Sequence, residues 1–273
     1  MKVACRLPLI LTISSAAFGC QVDAKALVIQ SVKNYERAWR QGMNWSYTQT
    51  DVTVTDGEKE VDVSQVAPLD GTPYERLISK NGHALTPEEQ KKEDEKYDRE
   101  LKKRENETPE ERRARIAKYE KERAFLKDVP SAYDYQCIGD EPVNGRGAWV
   151  IKLTPRPDFV PTTSHGALLK HIEGKLWIDK QDMQWAKAEA DVVSTVSIGF
   201  ILARIGPGAH INMDFTRISD DLWVPRDIVV KGAARVLLVH TKNLDENLTF
   251  SNYRLQTPPK QVASSSKAAG KTR

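Results

Sequence analysis

Short segments that alternate apolar and polar residues, separated by turn residues, recur through most of this chain. The first, Trp45 to Thr55, is rich in aromatic, Thr and Val residues and ends at Asp56-Gly57. Such alternation is typical of β-strands, because successive side chains in a strand point to opposite faces of the sheet. The pattern predicts strands at 45–55, 60–67, 74–79, 133–138, 148–156, 174–179, 185–193, 200–205, 209–218, 222–231, 234–241 and 248–255.

The turns between these strands are marked by Gly, Asn, Asp and Pro. Asn144-Gly145 is a strong hairpin signal, because both residues tolerate positive φ. Lys180 to Met183 is predicted as a turn, and Gly232 is expected to separate the strands on either side of it. Strands at hairpin spacing argue for an antiparallel sheet and against a parallel βαβ fold.

Helices are predicted at the start of the chain, in one insertion, and as a short piece near 166–172. From Asp23 to Arg40, apolar residues recur every three or four positions, as in an amphipathic helix. In the insertion, 86–127, Thr86-Pro-Glu-Glu and Thr108-Pro-Glu-Glu each place an N-cap Thr before a Pro and a capping-box Glu. Two charged helices follow. They form either a solvated insertion or an arm for a protein partner.

The first residues have the order of a secretory signal. Lys2 and Arg6 precede a short apolar run that is followed by small residues up to Cys20. Ala17-Phe18-Gly19-Cys20 resembles a bacterial lipobox, which implies lipid attachment at Cys20 and an outer-membrane anchor. Ordinary cleavage nearby is the alternative and gives a periplasmic protein. We expect a signal at 1–19, one domain at 20–257 carrying the insertion, and a disordered basic tail at 258–273.

The remaining composition offers no catalytic signature. The chain has 41 Lys plus Arg against 38 Asp plus Glu, a balance that predicts no nucleic-acid partner. The five His residues are scattered, and no Gly-rich phosphate loop or nucleophile motif occurs, so we predict neither an enzyme nor a cofactor. Cys137 lies between apolar neighbours in a strand, where an inert thiol is the default.

Several strands carry apolar or aromatic residues on one face. One N-terminal helix is too small to cover a sheet of this length, and a partly covered curved sheet leaves a cleft. Trp177 and Ile178 are neighbours, so only one of them can face it. The predicted lining comprises Trp45, Tyr47, Trp149, Ile151, Leu153, Trp177, Ile178, Met213 and Phe215.

Four segments carry a family resemblance: Tyr74-Glu-Arg-Leu, Trp149-Val-Ile-Lys-Leu-Thr-Pro, Gly174-Lys-Leu-Trp-Ile-Asp and Gln184-Trp-Ala-Lys-Ala-Glu. The order of these segments along the chain resembles that of the LolA/LolB/RseB-like superfamily. The resemblance covers about residues 24 to 255. The resemblance implies an α+β fold in which a large antiparallel sheet forms an incomplete (half) β-barrel, with Arg76 as the candidate for the family's functional arginine. The charged insertion is longer and more polar than the family's lid.

The resemblance implies a non-enzymatic periplasmic protein that holds lipid or lipoprotein acyl chains on its concave face. The alternative is an envelope interaction module with a filled core, which binds a protein partner through the charged helices. Peripheral or lipid-anchored association with a membrane is compatible with either function.

Overall fold

The computed structural model describes residues 20–198, 203–220, 222–236 and 240–256. The predicted signal and the predicted tail lie outside these residues. The helices are α1 (Ala24–Gly42), α2 (Pro87–Glu105), α3 (Pro109–Lys121) and α4 (Val129–Ala132), with 3₁₀ helices at Ala124–Asp128 and Gly166–His171. The strands are β1 (Trp45–Thr55), β2 (Glu58–Leu69), β3 (Thr72–Lys80), β4 (His83–Ala84), β5 (Tyr133–Val143), β6 (Arg146–Pro155), β7 (Ile172–Asp179), β8 (Trp185–Val192), β9 (Val196–Ile198), β10 (Ala203–Ile205), β11 (His210–Ser219), β12 (Leu222–Val236) and β13 (His240–Leu255).

The strands form one antiparallel, open sheet. Its order is β4-β3-β2-β1-β13-β12-β11-β8-β7-β6-β5, and β10 and β9 extend it beside β12. Among the described residues, β4 and β5 lie at the two ends and do not pair with each other. The α+β fold class is therefore confirmed, with a large antiparallel sheet forming an incomplete β-barrel, an N-terminal helix and an inserted pair of charged helices.

Helix α1 lies against one face of the sheet, which we call the inner face. Asp23 caps the helix by accepting a hydrogen bond from the Ala26 N–H at 3.0 Å. The apolar stripe of α1 buries Val28 and Val32 in the main core. The Trp185 indole N–H of β8 donates to the Ser31 hydroxyl at 3.0 Å. The predicted helix is confirmed, and its cap and stripe explain where it begins and which side it buries.

Gly232 does not form the predicted turn. Strand β12 continues through it, and Gly232 pairs with Leu244 of β13. A Cβ atom at this position would lie 2.5 Å from the Cβ of Ala209. Glycine is therefore needed because the backbone lies close to Ala209, and not because the chain reverses here. The predicted separate strand at 234–241 is wrong, since its described residues belong to the end of β12 and the start of β13.

The charged helices are docked to the sheet rather than merely solvated. Both predicted capping boxes are confirmed at the starts of α2 and α3. The Arg104 guanidinium is buried and donates to the carbonyl oxygens of Leu69 and Thr72. Arg115 donates to the Asp70 carboxylate at 3.1 Å and to Glu107 at 2.7 Å. Two arginines thus attach the helical pair to the turn between β2 and β3.

The end of the insertion belongs to the core of the protein. Leu126, in the 3₁₀ helix after α3, is buried in the same cluster as the inner face of the sheet. Tyr119 of α3 stacks on Trp39 of α1, with ring centroids 5.5 Å apart. The insertion therefore extends from the β2–β3 turn to α1 and contributes apolar residues beside it.

Candidate ligand-binding cavity

A cavity of about 430 Å³ lies between α1 and the inner face of the sheet. Small-molecule sites in proteins usually occupy roughly 300–1,000 Å³. The strands contribute mainly apolar side chains to the walls, among them Leu176, Ala188, Ile211, Ile228 and Phe250. The space is therefore large enough for a small apolar ligand and has walls that would favour one.

Aromatic residues of α1 form the opposite wall. Tyr35 stacks on Trp185 at 4.4 Å and meets Phe215 edge-on at 5.8 Å. Trp39 also lines the cavity, together with Tyr119 from the end of α3. The charged insertion thus presents an aromatic side chain to the cavity, although α3 itself has no buried residue.

Four of the residues predicted from the sequence meet in this cavity. Tyr47 of β1, Leu153 of β6, and Met213 and Phe215 of β11 all line it. Phe215 is buried and Met213 is half-buried. Residues from three separate strands thus converge on one space.

The other predicted residues lie outside the cavity wall. Ile151 and Ile178 are completely buried in the main core, and Trp149 packs against that core. Trp45 packs in a separate cluster with Leu222 and Val224 of β12. These side chains support the sheet and the start of β12, and none of them belongs to the cavity lining.

Trp177 occupies the face of the sheet opposite the cavity. Its neighbour Leu176 pairs with Ala188, and both line the cavity, so alternation directs Trp177 away from it. Its indole N–H donates to Glu141 at 2.8 Å, and the Lys187 ammonium lies 4.6 Å from its ring centroid. Ile178 therefore lies on the inner face of the sheet, but neither of the two residues belongs to the cavity lining.

Arg76, the candidate functional arginine, also lies away from the cavity. It pairs with Asp94 of α2, and its guanidinium carbon is 5.7 Å from the centroid of the Tyr97 ring. Its contacts join β3 to α2.

No sequence pattern assigns the aromatic residues of α1 and of the insertion to a site. Tyr35 and Trp39 belong to the apolar stripe of α1, which favoured their assignment to the core. Tyr119 and Phe125 are scattered apolar positions in a charged segment. Their common position depends on how the insertion folds back over α1, and no local pattern reports that.

Burial and nearby charges change the acidity of the tyrosines in this cavity. Burial raises the pKa of Tyr47 to about 12, with Tyr119 acting in the same direction and Arg123 opposing it. Burial likewise raises the pKa of Tyr35, and the positive charge of Arg123 again acts against it. Both hydroxyls are therefore protonated at neutral pH and can donate hydrogen bonds.

Cys20 and Cys137 form a disulfide, with Cα atoms 5.8 Å apart. The prediction of an inert thiol at Cys137 is therefore wrong. Cys20 lies just before α1, so that helix is tied to β5 at the edge of the sheet. Once the predicted signal is removed, Cys20 and Cys137 are the two remaining cysteines, so the cysteine count allows one intramolecular pair. A separation of 117 positions carries no information on the distance between them, so the pairing itself could not be predicted. Lipid attachment at Cys20 would use the same sulfur atom, so the disulfide and the lipid are mutually exclusive.

We expect the exported protein to contain no free thiol and no diacylglycerol. Replacing Cys137 with serine should lower the free energy of unfolding by about 2–4 kcal/mol, because the unfolded chain loses a long covalent loop. Intact mass before and after reduction and alkylation measures the bond, and thermal unfolding measures its effect. A mature chain that begins at a diacylated Cys20 would contradict the disulfide and support the anchor.

No helix among the described residues is both long and apolar enough to cross a bilayer. In the same part of the chain, no group of three or more His, Cys, Asp or Glu side chains is placed to hold a metal ion.

Comparison with known proteins gives matches only among solved structures. No protein-family profile matches the chain, and no curated protein is significantly similar to it. Solved structures similar to this chain include proteins of the LolA superfamily. A LolA superfamily protein from Nitrosomonas europaea is 13% identical, with a TM-score of 0.34, over 87% of this chain and 96% of that protein.

Two further structures show the same level of similarity. A domain from Vibrio parahaemolyticus, assigned to outer membrane lipoprotein sorting, is 11% identical with a TM-score of 0.38, over 88% of this chain and 96% of the domain. The MucA/MucB complex of Pseudomonas aeruginosa contains a chain that is 12% identical with a TM-score of 0.26, over 86% of this chain and 100% of that one.

Proposed function

We propose that this chain is an exported, non-enzymatic binding protein that holds a lipid or lipoprotein acyl chain in the cavity between α1 and the inner face of the sheet. The cavity itself carries the proposal, because its walls are mainly apolar and aromatic and its volume is about 430 Å³. The alternative function, an interaction module with a filled core, does not account for a cavity of this size.

The expected affinity follows from the apolar surface that an acyl chain would bury. Each buried CH₂ contributes about 0.8 kcal/mol, so about ten methylenes contribute roughly 8 kcal/mol. A micromolar complex has a binding free energy of about 8 kcal/mol, and ordering the ligand reduces the net gain. About ten methylenes therefore give binding weaker than micromolar, and we expect micromolar binding only for longer chains.

The disulfide favours an oxidising compartment, in which such bonds persist. We therefore propose the periplasm as the location, with the unlipidated form as the binding protein. A lipid-anchored form at the outer membrane remains the alternative if Cys20 is modified before it can pair with Cys137.

Native mass spectrometry of the exported protein tests the proposed function. A protein with an open cavity should retain a co-purified lipid, whose mass is lost when the protein is denatured. A protein that carries no lipid, and takes up none when incubated with dodecanoate or dodecanol, would contradict the proposal.

A further inference from the structure

One corner of the cavity is polar. It is formed by the guanidinium group of Arg123 and the hydroxyl groups of Tyr35, Tyr47 and Tyr119, and we call it the polar corner. All four residues line the cavity. The guanidinium carbon of Arg123 lies 5.3 Å from the centroid of the Trp39 ring, and Tyr119 stacks on the same ring at 5.5 Å. The charge of Arg123 also acts on the pKa of Tyr35 and of Tyr47. The remaining wall is predominantly apolar, and its other charged residues are Glu173, Lys175 and Glu189.

Arg123 differs from the arginines of α3 in how its charge is balanced. Arg112, Arg113 and Arg115 of α3 each pair with a carboxylate. In the described part of the chain, no carboxylate pairs with Arg123. Its guanidinium carbon instead lies 5.3 Å from the centroid of the Trp39 ring, which holds the charge beside the cavity.

The hydroxyl groups of the corner also lack protein partners. Two other tyrosines near the cavity are paired: Tyr253 donates to the Pro225 carbonyl at 2.6 Å, and Tyr135 donates to the Val129 carbonyl. Tyr133, which also lines the cavity, forms no hydroxyl hydrogen bond with the described residues, but it is not part of the polar corner. Within the described residues, no hydrogen bond is formed by the hydroxyls of Tyr35, Tyr47 or Tyr119. An unpaired cation beside three unpaired donors is suited to an oxyanion, which accepts several hydrogen bonds.

We propose that the polar corner binds the anionic headgroup of a single-chain amphiphile whose acyl chain fills the apolar part of the cavity. This inference rests on the proposed function and narrows it to a ligand class. The shared chemistry is a carboxylate or phosphate at one end of a saturated or unsaturated chain. Arg123 supplies the charge, and the tyrosine hydroxyls supply further donors.

Replacing Arg123 with methionine tests the role of the charge. Binding of dodecanoate to the full mature protein should weaken about tenfold, because a charge-assisted hydrogen bond is lost. Binding of dodecanol, which has the same chain and no charge, should change by less than about twofold, since its contacts are apolar. Isothermal titration calorimetry measures both ligands with the same protein preparation.

Two matched variants distinguish the effect of losing the Arg123 charge from a general disturbance of the protein structure. Arg113→Met removes an exposed arginine of α3 that lies outside the cavity, and it should leave both affinities unchanged. Arg123→Lys keeps the positive charge and should restore part of the affinity for dodecanoate. Unchanged dodecanol binding in each variant shows that the cavity is still folded.

The hydroxyl groups are tested by removing them one at a time. Tyr119→Phe and Tyr47→Phe should each weaken dodecanoate binding by about threefold to tenfold. Tyr133→Phe is the control, because Tyr133 lines the same cavity but its pKa is raised by burial alone, with no contribution from Arg123. It should leave the affinity for dodecanoate unchanged.

The choice of ligand distinguishes a carboxylate headgroup from a phosphate headgroup. It also separates a failure of the headgroup inference from a failure of the proposed function. Tighter binding of dodecanoate than of lauroyl lysophosphatidic acid identifies a carboxylate, and the reverse identifies a phosphate. If dodecanoate and dodecanol bind equally well, and Arg123→Met weakens neither, the inference about the headgroup is wrong while acyl-chain binding stands. If neither ligand binds the unmodified protein, the proposed function itself fails.

Discussion

Replacing Asp179 with alanine is expected to lower the free energy of unfolding by about 3–5 kcal/mol. Asp179 is completely buried at the end of β7. Its carboxylate accepts two hydrogen bonds from Arg146, each at 2.7 Å, and further bonds from the backbone N–H groups of Gln181 and Asp182. The substitution leaves the two backbone N–H groups without their acceptor and leaves Asp182, at 3.0 Å, as the remaining carboxylate partner of Arg146. It also removes the group that fixes the turn between β7 and β8.

Urea denaturation of the variant and the unmodified protein measures this effect. Asp158→Ala is the matched control, because Asp158 also pairs with an arginine at 2.7 Å, but its side chain is 71% exposed. Exposed pairs contribute less than about 1 kcal/mol, so this control should change little. Equal small losses in both variants would show that the Asp179 pair does not stabilise the fold as we describe.

The same carboxylate gives the protein part of its acid sensitivity. Burial alone would raise the pKa of Asp179, but the Arg146 guanidinium and the backbone N–H groups lower it below its usual value. A lowered pKa in the folded state means that the stabilisation is fully present above the unfolded pKa, about 3.9, and is lost as pH falls through the folded value. Asp179→Ala should therefore lose less stability than the unmodified protein as pH falls below about 4.

Replacing Met213 with aspartate is expected to weaken acyl-chain binding by at least about a hundredfold, since an unpaired carboxylate would have to be desolvated by the ligand. Met213 is half-buried and lines the cavity. In the empty protein the carboxylate can contact solvent within the cavity, so the loss of stability should be modest. Titration with a fluorescent fatty acid measures the affinity, and thermal unfolding measures the stability.

Two variants of the same strand serve as controls for Met213→Asp. Met213→Leu keeps an apolar side chain of similar size and should retain binding. Thr216→Asp introduces the same charge on β11 at a residue outside the cavity lining, and binding should persist. Full binding by a folded Met213→Asp protein would exclude Met213 from the ligand site. Unfolding of that variant would indicate a filled core at this position.

Much of the secondary structure could be predicted because its determinants are local. Asn144 and Gly145 adopt φ values of 51° and 78°, as the hairpin signal requires. Thr86 and Thr108 each form the capping box that their sequence predicts. In each case the residues that specify the conformation are adjacent or three positions apart, so no knowledge of the tertiary fold is needed.

The cavity could be predicted only in part, because its shape depends on contacts between distant segments. Alternation identified Met213 and Phe215 on one face of β11, but it could not show how far α1 covers that face. Arg104 appeared in a charged segment as one more solvated residue, whereas its contacts with Leu69 and Thr72 are 35 and 32 positions away. Likewise, no local signal joins Cys20 to Cys137.

The central claim is that an acyl chain occupies the cavity between α1 and the sheet, and photo-crosslinking tests it most directly. A dodecanoate analogue with a diazirine on its chain is irradiated with the mature protein, and labelled peptides are identified by mass spectrometry. We predict labelling at cavity residues such as Tyr35, Met213 and Phe215, with competition by unlabelled dodecanoate. Labelling that is confined to the opposite face of the sheet, around Trp177, or that unlabelled dodecanoate does not reduce, would contradict the account.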